Sequence, residues 1–322
     1  MLKSIRKMLN NTTIACMAIM VFIFIYVIMG TVDYRHIDYV VHVNSREELE
    51  RTTKPIRAKG LILTNIHGLG NQLFIYAAAL HFKRHFNIPV FLLHDSSTKT
   101  HTKHNYARLF KGVESIEAND PRVMNAKQFK FSRRSLNAYT NDNEIPVDES
   151  VYIRVGETYF HNYEKIRDVI PVVKENVLAV LQPTYSNEIT NNPKTCAFVH
   201  VRRGDYKYHL FGRSMLPFSY YQFGMDQLNM VREVETIYII SNDIAWCRQQ
   251  VWNTEKKLIF YDDPDELKTL YLMSRCWAGA VISKSTFSLW GVFLGAHGKT
   301  DNIVYAKGVH FLDDLPIMWI TQ

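Results

Sequence analysis

The stretch C-A-F-V-H-V-R-R-G-D-Y (196–206) crowds His200, Arg202, Arg203 and Asp205 behind a short apolar run. Ala197 to Val201 reads as a buried strand. Alternation puts His200 and Arg202 on one of its faces, while Arg203 begins a turn that Gly204 permits. Two adjacent guanidinium groups at a strand's carboxyl end are costly to hold without an anion. The planar fork of arginine grips phosphate oxygens bidentately and keeps its proton, so the chemistry that suits this pair is the binding of a phosphate or pyrophosphate.

Two further stretches fit that chemistry. In H-G-L-G-N-Q-L-F-I-Y-A (67–77) an apolar strand is followed by a glycine turn and a helix. Gly68 and Gly70 allow a tight turn and let a ligand approach the backbone, and the free amides of the helix start face it with favourable polarity. Asn71 and Gln72 add amide side chains, either as caps or as ligand contacts. Leu73 stands where a dinucleotide fingerprint would have its third glycine, so that motif is excluded. In I-S-K-S-T-F-S-L-W-G (282–291), Ser283, Ser285, Thr286 and Ser288 precede or open another helix, an ordinary phosphate cradle, and Lys284 adds charge. Asp243, Asp263, Asp265 and Glu266 are acceptors suited to base N–H groups or ribose hydroxyls.

The elements that position these groups alternate regularly after a polar, asparagine-rich boundary over 186–194. Strands are predicted over 197–201, 236–241, 257–261, 279–283 and 302–306. Helices are predicted between them over 219–230, 244–252, 265–275 and 287–296. That alternation predicts a parallel sheet covered on both faces, with ligands beyond the carboxyl ends of its strands. The arginine stretch, S-N-D (241–243), Y-D-D-P-D (261–265) and the serine-rich stretch all fall on that rim. The amino-terminal half starts as strand 61–66, helix 71–85 and strand 88–93. It continues less regularly to 192, with a strand over 151–155 and a helix over 171–181.

With 322 residues, 47% hydrophobic and 21% charged, the chain is globular and large enough for two domains. Its charge of +7 suits an anionic small molecule, a membrane surface or nucleic acid, but no nucleic-acid module and no zinc-type cysteine spacing is present. Lys3, Arg6 and Lys7 precede a stretch without charge that runs to Asp33. That run can cross a hydrocarbon core of about 30 Å, and its flanking charge predicts a cytoplasmic amino terminus. It is long for a cleaved signal peptide. The expected organisation is a cytoplasmic tail (1–12), a transmembrane signal-anchor (13–32), a stem (33–59), an amino-terminal α/β domain (60–190) and a carboxyl-terminal α/β domain (191–322). Cys196, Cys247 and Cys276 lie in the body, where one bridge among them and three buried thiols are both open readings.

The three stretches resemble the signatures of the α1,2-fucosyltransferase family (glycosyltransferase family 11), and the resemblance covers the body from about Leu61 to the carboxyl end. The H-V-R-R-G-D-Y stretch is shared with α1,6- and protein O-fucosyltransferases; the other two point to the α1,2 group. Lys284, where asparagine is usual, and Leu289, where bacterial members often carry a second tryptophan, are departures that bear on acceptor preference.

The resemblance implies two Rossmann-like domains facing across a cleft (GT-B type) behind the membrane anchor, in a type II Golgi protein with a lumenal body. It implies inverting transfer of L-fucose from GDP-fucose to the 2-hydroxyl of a terminal β-galactoside on a glycan, without metal or cofactor. The domain over 60–190 would be the acceptor side and the domain over 191–322 would bind GDP-fucose, where Arg202 and Arg203 would hold the pyrophosphate with Ser285 and Thr286 beside it. His200 would sit near the phosphates, Asp205 would orient an arginine or touch the donor, and Asn71 would face the fucose. Glu157, Tyr159 and His161 are candidate acceptor contacts, and Asp205, Glu157 and His161 are candidate bases. D-P-D (263–265) fits the loose D-x-D pattern of metal-dependent sugar-nucleotide enzymes, but its proline and the helix after it predict a turn and an N-terminal cap instead. The alternatives are a fucosyltransferase of another linkage or protein acceptor, and an inactive sugar-binding protein.

Overall fold

Apolar runs bounded by turns assemble here into two parallel sheets. The computed structural model describes residues 57–65, 67–94, 106–130, 145–146, 148–156, 158–204, 215–295, 302–306 and 320–321. The expected tail and anchor, the stem up to residue 56, Asp205 and Glu157 lie outside these residues. Among the described residues no helix is long and apolar enough to cross a membrane.

The first half runs β1 (Ala58–Asn65), α1 (Leu69–Phe86), β2 (Val90–His94), β3 (Glu114–Glu117), α2 (Pro121–Met124), β4 (Lys127–Phe129) and β5 (Asp148–Val155). Its five strands lie in the order β3-β2-β1-β5-β4 and pair in parallel. Two helices, α3 (Tyr163–Ile166) and α4 (Ile170–Tyr185), lead to the second half. There follow β6 (Cys196–Val201), α5 (Phe218–Met230), β7 (Thr236–Ser241), α6 (Ile244–Arg248), β8 (Lys257–Tyr261), α7 (Glu266–Ser274), β9 (Gly279–Val281), α8 (Thr286–Leu294), β10 (Ile303–Tyr305) and β11 (Ile320–Thr321). This sheet has the order β11-β10-β9-β6-β7-β8, again parallel.

Every residue of β6 is buried, as a strand covered on both faces requires. Alternation divides its side chains: Cys196 and Phe198 enter one core, and Ala197, Val199 and Val201 enter another. The first of these cores is continuous from Leu61 through the α4 residues Val173, Val177 and Leu181 to Trp290 of α8. The two halves therefore share apolar packing as well as a cleft.

Four features depart from the sequence reading. β3 and β4 are short edge strands (E-S-I-E and K-Q-F) whose exposed polar residues conceal the strand pattern. β1 opens at Ala58, inside the predicted stem. α6 stops at Arg248 rather than 252, because the Trp252 indole N–H turns back to donate to Cys247 O at 2.9 Å. β9 stops at Val281 rather than 283, and Ser285 N then donates to Ser283 O at 2.7 Å in the turn that follows.

Candidate active site

The strand end of β6 separates the two arginines. His200 and Arg202 line a cleft of about 800 Å³, whereas Arg203 does not belong to its wall. Arg203 lies over the Trp246 ring, with Cζ 3.8 Å from the centroid, and its Nε donates to Asp243 Oδ2 at 3.3 Å. The pair expected to grip one anion is thus divided between a residue that faces the cleft and one that braces the turn behind it. Asp243, expected at the donor, is the partner of that brace.

Asn242 fixes the same turn from β7's end. Its Oδ1 accepts from Arg203 N at 3.0 Å and from Gly204 N at 3.1 Å. A Cβ on Gly204 would run into the Asn242 side chain, so the glycine serves close approach there. The sequence reading placed Asn242 on the rim without this role; its signal was its position one residue past the neighbouring strand.

At the end of β1 the residue in left-handed backbone is His67, at φ +66°, while Gly68 is extended and Gly70 helical. The Gln72 side chain donates to His67 O at 2.8 Å and accepts from Asn65 Nδ2 at 3.1 Å, which makes it structural. A Cβ on Gly70 would sit 2.5 Å from Phe287 N, the second residue of α8. Gly70 therefore lets the starts of α1 and α8 meet, a reason different from the ligand approach expected of it. A Cβ on Gly68, by contrast, would meet nothing within 4 Å.

Neither helix has a side-chain cap at Gly68 or Ser285, so two sets of helix-start amides and two positive dipole ends converge on the cleft. Asn71 joins them. It is no cap; its Oδ1 accepts from Thr286 Oγ1 at 2.9 Å and lies 3.2 Å from His161 Nε2. A carbonyl oxygen only accepts, so the imidazole donates from Nε2. Ser285 and Thr286 line the same wall.

His161 arrives through a kinked segment. Phe160 takes φ +53° and is buried among the rings of the first half, with Phe82 edge-on. Tyr159 and His161 then stack with centroids 5.1 Å apart, and His67 meets Tyr159 edge-on. All three line the cleft. His67 was missed as a site residue, since nothing in its sequence neighbourhood marks it as the strained position.

Burial pushes His161 down to about 3. Burial, with the Arg202 guanidinium second, does the same to His200, whose Nδ1 lies 2.7 Å from Ser283 Oγ. Both imidazoles are neutral at ordinary pH, and the low basicity of His161 weakens it as a general base.

Part of the cleft wall is acidic and includes Asp262, Asp263 and Glu266. Asp263 pairs with Lys268 at 2.9 Å and accepts from Asp265 N at 2.9 Å. Asp265 caps α7 by accepting from Leu267 N at 2.9 Å and Lys268 N at 3.2 Å, and its other oxygen accepts from Tyr185 OH at 2.6 Å. The D-P-D stretch forms a turn and a cap.

The chain matches the profile of glycosyl transferase family 11 over residues 63–308. It is similar to the O-antigen biosynthesis glycosyltransferase WbnK of Escherichia coli, 26% identical over an alignment of 270 residues, gaps included, that covers 70% of this chain and 87% of that one. It is also similar to galactoside alpha-(1,2)-fucosyltransferase 1 of Lagothrix lagotricha, 27% identical over 157 residues. That match covers 44% of this chain and only 41% of the primate protein. Among solved structures it resembles fucosyltransferase NodZ from Bradyrhizobium over 74% of this chain and 94% of that one, with a TM-score of 0.46 and 14% identity. With a profile that takes in every described wall of the cleft from His67 to Phe287, the chain belongs to glycosyl transferase family 11.

Proposed function

We propose that the protein transfers L-fucose from GDP-fucose to the 2-hydroxyl of a terminal β-galactoside on a glycan, with inversion and without a metal. The observation that carries this reading is the convergence of Arg202, Asn71 and the uncapped starts of α1 and α8 on one cleft. Such a set of donors suits a pyrophosphate. The names of the family relatives, one a galactoside fucosyltransferase, support the sugar and the acceptor.

In the proposed reaction the acceptor oxygen bonds to C1 of fucose as the bond from C1 to the β-phosphate oxygen breaks. Positive charge develops on the sugar and negative charge on the departing phosphate. Arg202 and the helix-start amides stabilise the latter charge, and the acidic wall of Asp262, Asp263 and Glu266 accepts from the base or ribose. Tyr159, His161 and His67 offer rings and edges to the acceptor sugar. Asp205 and Glu157 are the carboxylates of this chain proposed for the hydroxyl proton. We place the body in the Golgi lumen behind the anchor predicted at 13–32.

The test incubates the full chain with labelled GDP-fucose and a terminal β-galactoside, with and without EDTA. Transfer to the 2-hydroxyl that survives EDTA is expected. Transfer lost in EDTA overturns the metal-free reaction, and nucleotide binding without transfer to any acceptor overturns the reading as a whole.

A further inference from the structure

The described cysteines of the body separate by sheet face. Alternation along β6 sends Cys196 into the core that holds Cys276, while Cys247 belongs to the core on the other face. Both Cys196 and Cys276 are fully buried, and their Sγ atoms stand 2.6 Å apart. Backbone bonds hold the two segments together independently of the sulfurs: Ala278 N donates to Cys196 O at 3.1 Å, and Trp277 N donates to Pro193 O at 2.8 Å. β6 and β9 also pair in register, with Ala197 opposite Gly279. A disulfide bond is about 2.05 Å long, so the two sulfurs stand about half an ångström outside bonding distance.

We propose that Cys196 and Cys276 form a disulfide that ties the amino end of β6 to the turn before β9. Each thiol gives up one proton and one electron to an oxidant of the disulfide class, a protein disulfide or glutathione disulfide. That oxidant leaves as two thiols while the Sγ–Sγ bond forms. Burial raises the Cys276 thiol well above its ordinary range, so the reactive thiolate is scarce in the folded protein and the exchange belongs to folding. The bond holds the two strands whose carboxyl ends lead to Arg202 and to Ser285 and Thr286. It stabilises mainly by restricting the unfolded chain.

The pairing rests on geometry, and the supply of oxidant rests on the proposed lumenal location; the test separates them. The full chain is expressed in eukaryotic cells, quenched in acid, denatured, alkylated with N-ethylmaleimide and digested without reduction for mass spectrometry. A second sample is equilibrated with glutathione disulfide in urea at its unfolding midpoint before the same treatment. The expected product is a Cys196 peptide joined to a Cys276 peptide, two hydrogens lighter than the pair, with Cys247 alkylated. A bridge in the glutathione sample alone supports the pairing and removes the lumenal location. A bridge that includes Cys247, or three alkylated cysteines in both samples, overturns the proposal.

Discussion

Thr286 donates its hydroxyl to the side-chain oxygen of Asn71 at 2.9 Å, joining the first turns of two helices 215 residues apart in the chain. His161 holds the same oxygen from the other side. With Oδ1 engaged twice, the NH₂ of Asn71 is the end left to donate to a ligand in the cleft.

Asn71→Asp separates bracing from ligand contact. An aspartate oxygen still accepts from Thr286 and His161, but an anion replaces the NH₂ beside a negatively charged donor. Loss of one preplaced donor costs about 2.7–4 kcal/mol in the transition state, roughly 100- to 1000-fold in rate. We expect a loss of at least that size with Tm nearly unchanged. Wild-type rates for the aspartate variant would leave Asn71 as a brace only.

The two arginines should fail in different ways. Arg202→Ala removes charge stabilisation from the cleft and is expected to lower kcat about 100- to 1000-fold while the fold survives. Arg202→Lys should rescue poorly, since a point charge does not reproduce the fork. Arg203→Ala instead removes the stacking on Trp246 and the guanidinium beside Asp243. It should cost about 1–3 kcal/mol of stability, and its effect on rate should be smaller than that of Arg202→Ala. Thermal melts beside initial rates decide this, and equal rate losses with equal Tm would contradict the division.

What the sequence made legible follows from burial. Thr236–Ser241 and Lys257–Tyr261 are strands as read, because a strand of a two-faced parallel sheet must be nearly continuous in apolar residues. That Asn71, Arg202, Ser285 and Thr286 line one cleft was legible, because the strand ends and helix starts of such a sheet fall on one rim. The sequence did not separate Arg203 from Arg202, because both lie past Val201, the last strand residue, and the contacts that direct Arg203 come from Trp246 and Asp243 on another segment. His67 and Asn242 act through a backbone angle and through two amides of another segment, and neither leaves a pattern in the residue types.

Gly70 and Gly68 have the same composition and opposite tolerance. A Cβ on Gly70 would press on the backbone of Thr286 and Phe287, which must shift to admit it. Such overpacking typically costs about 1–3 kcal/mol. Gly70→Ala should lower Tm by several degrees and reduce transfer by spreading the two helix starts. Gly68 has φ −63° and open space around its α-carbon, so Gly68→Ala should leave Tm within about a degree. Equal stability of both variants would show that the close approach at Gly70 is not needed.

The buried imidazoles set a pH dependence of stability. His161 and His200 each titrate near 3 in the folded protein against 6.5 when unfolded, because burial disfavours the charged ring. Between those values the unfolded chain binds more protons, so their contribution is fully present above pH 6.5 and is lost as pH falls toward 3. The slope reaches about 1.4 kcal/mol per pH unit for each histidine. Hydrogen bonds from Arg122 hold Asp120 down to about 2, so that carboxylate contributes its own loss only at more acid pH. Tm measured from pH 7.5 to 4.5 should therefore fall steeply. His200→Gln removes one of the two protonations and should roughly halve that slope while lowering stability at pH 7.5. A variant with an unchanged slope would mean that His200 stays protonated in the folded cleft, where its charge would add to that of Arg202.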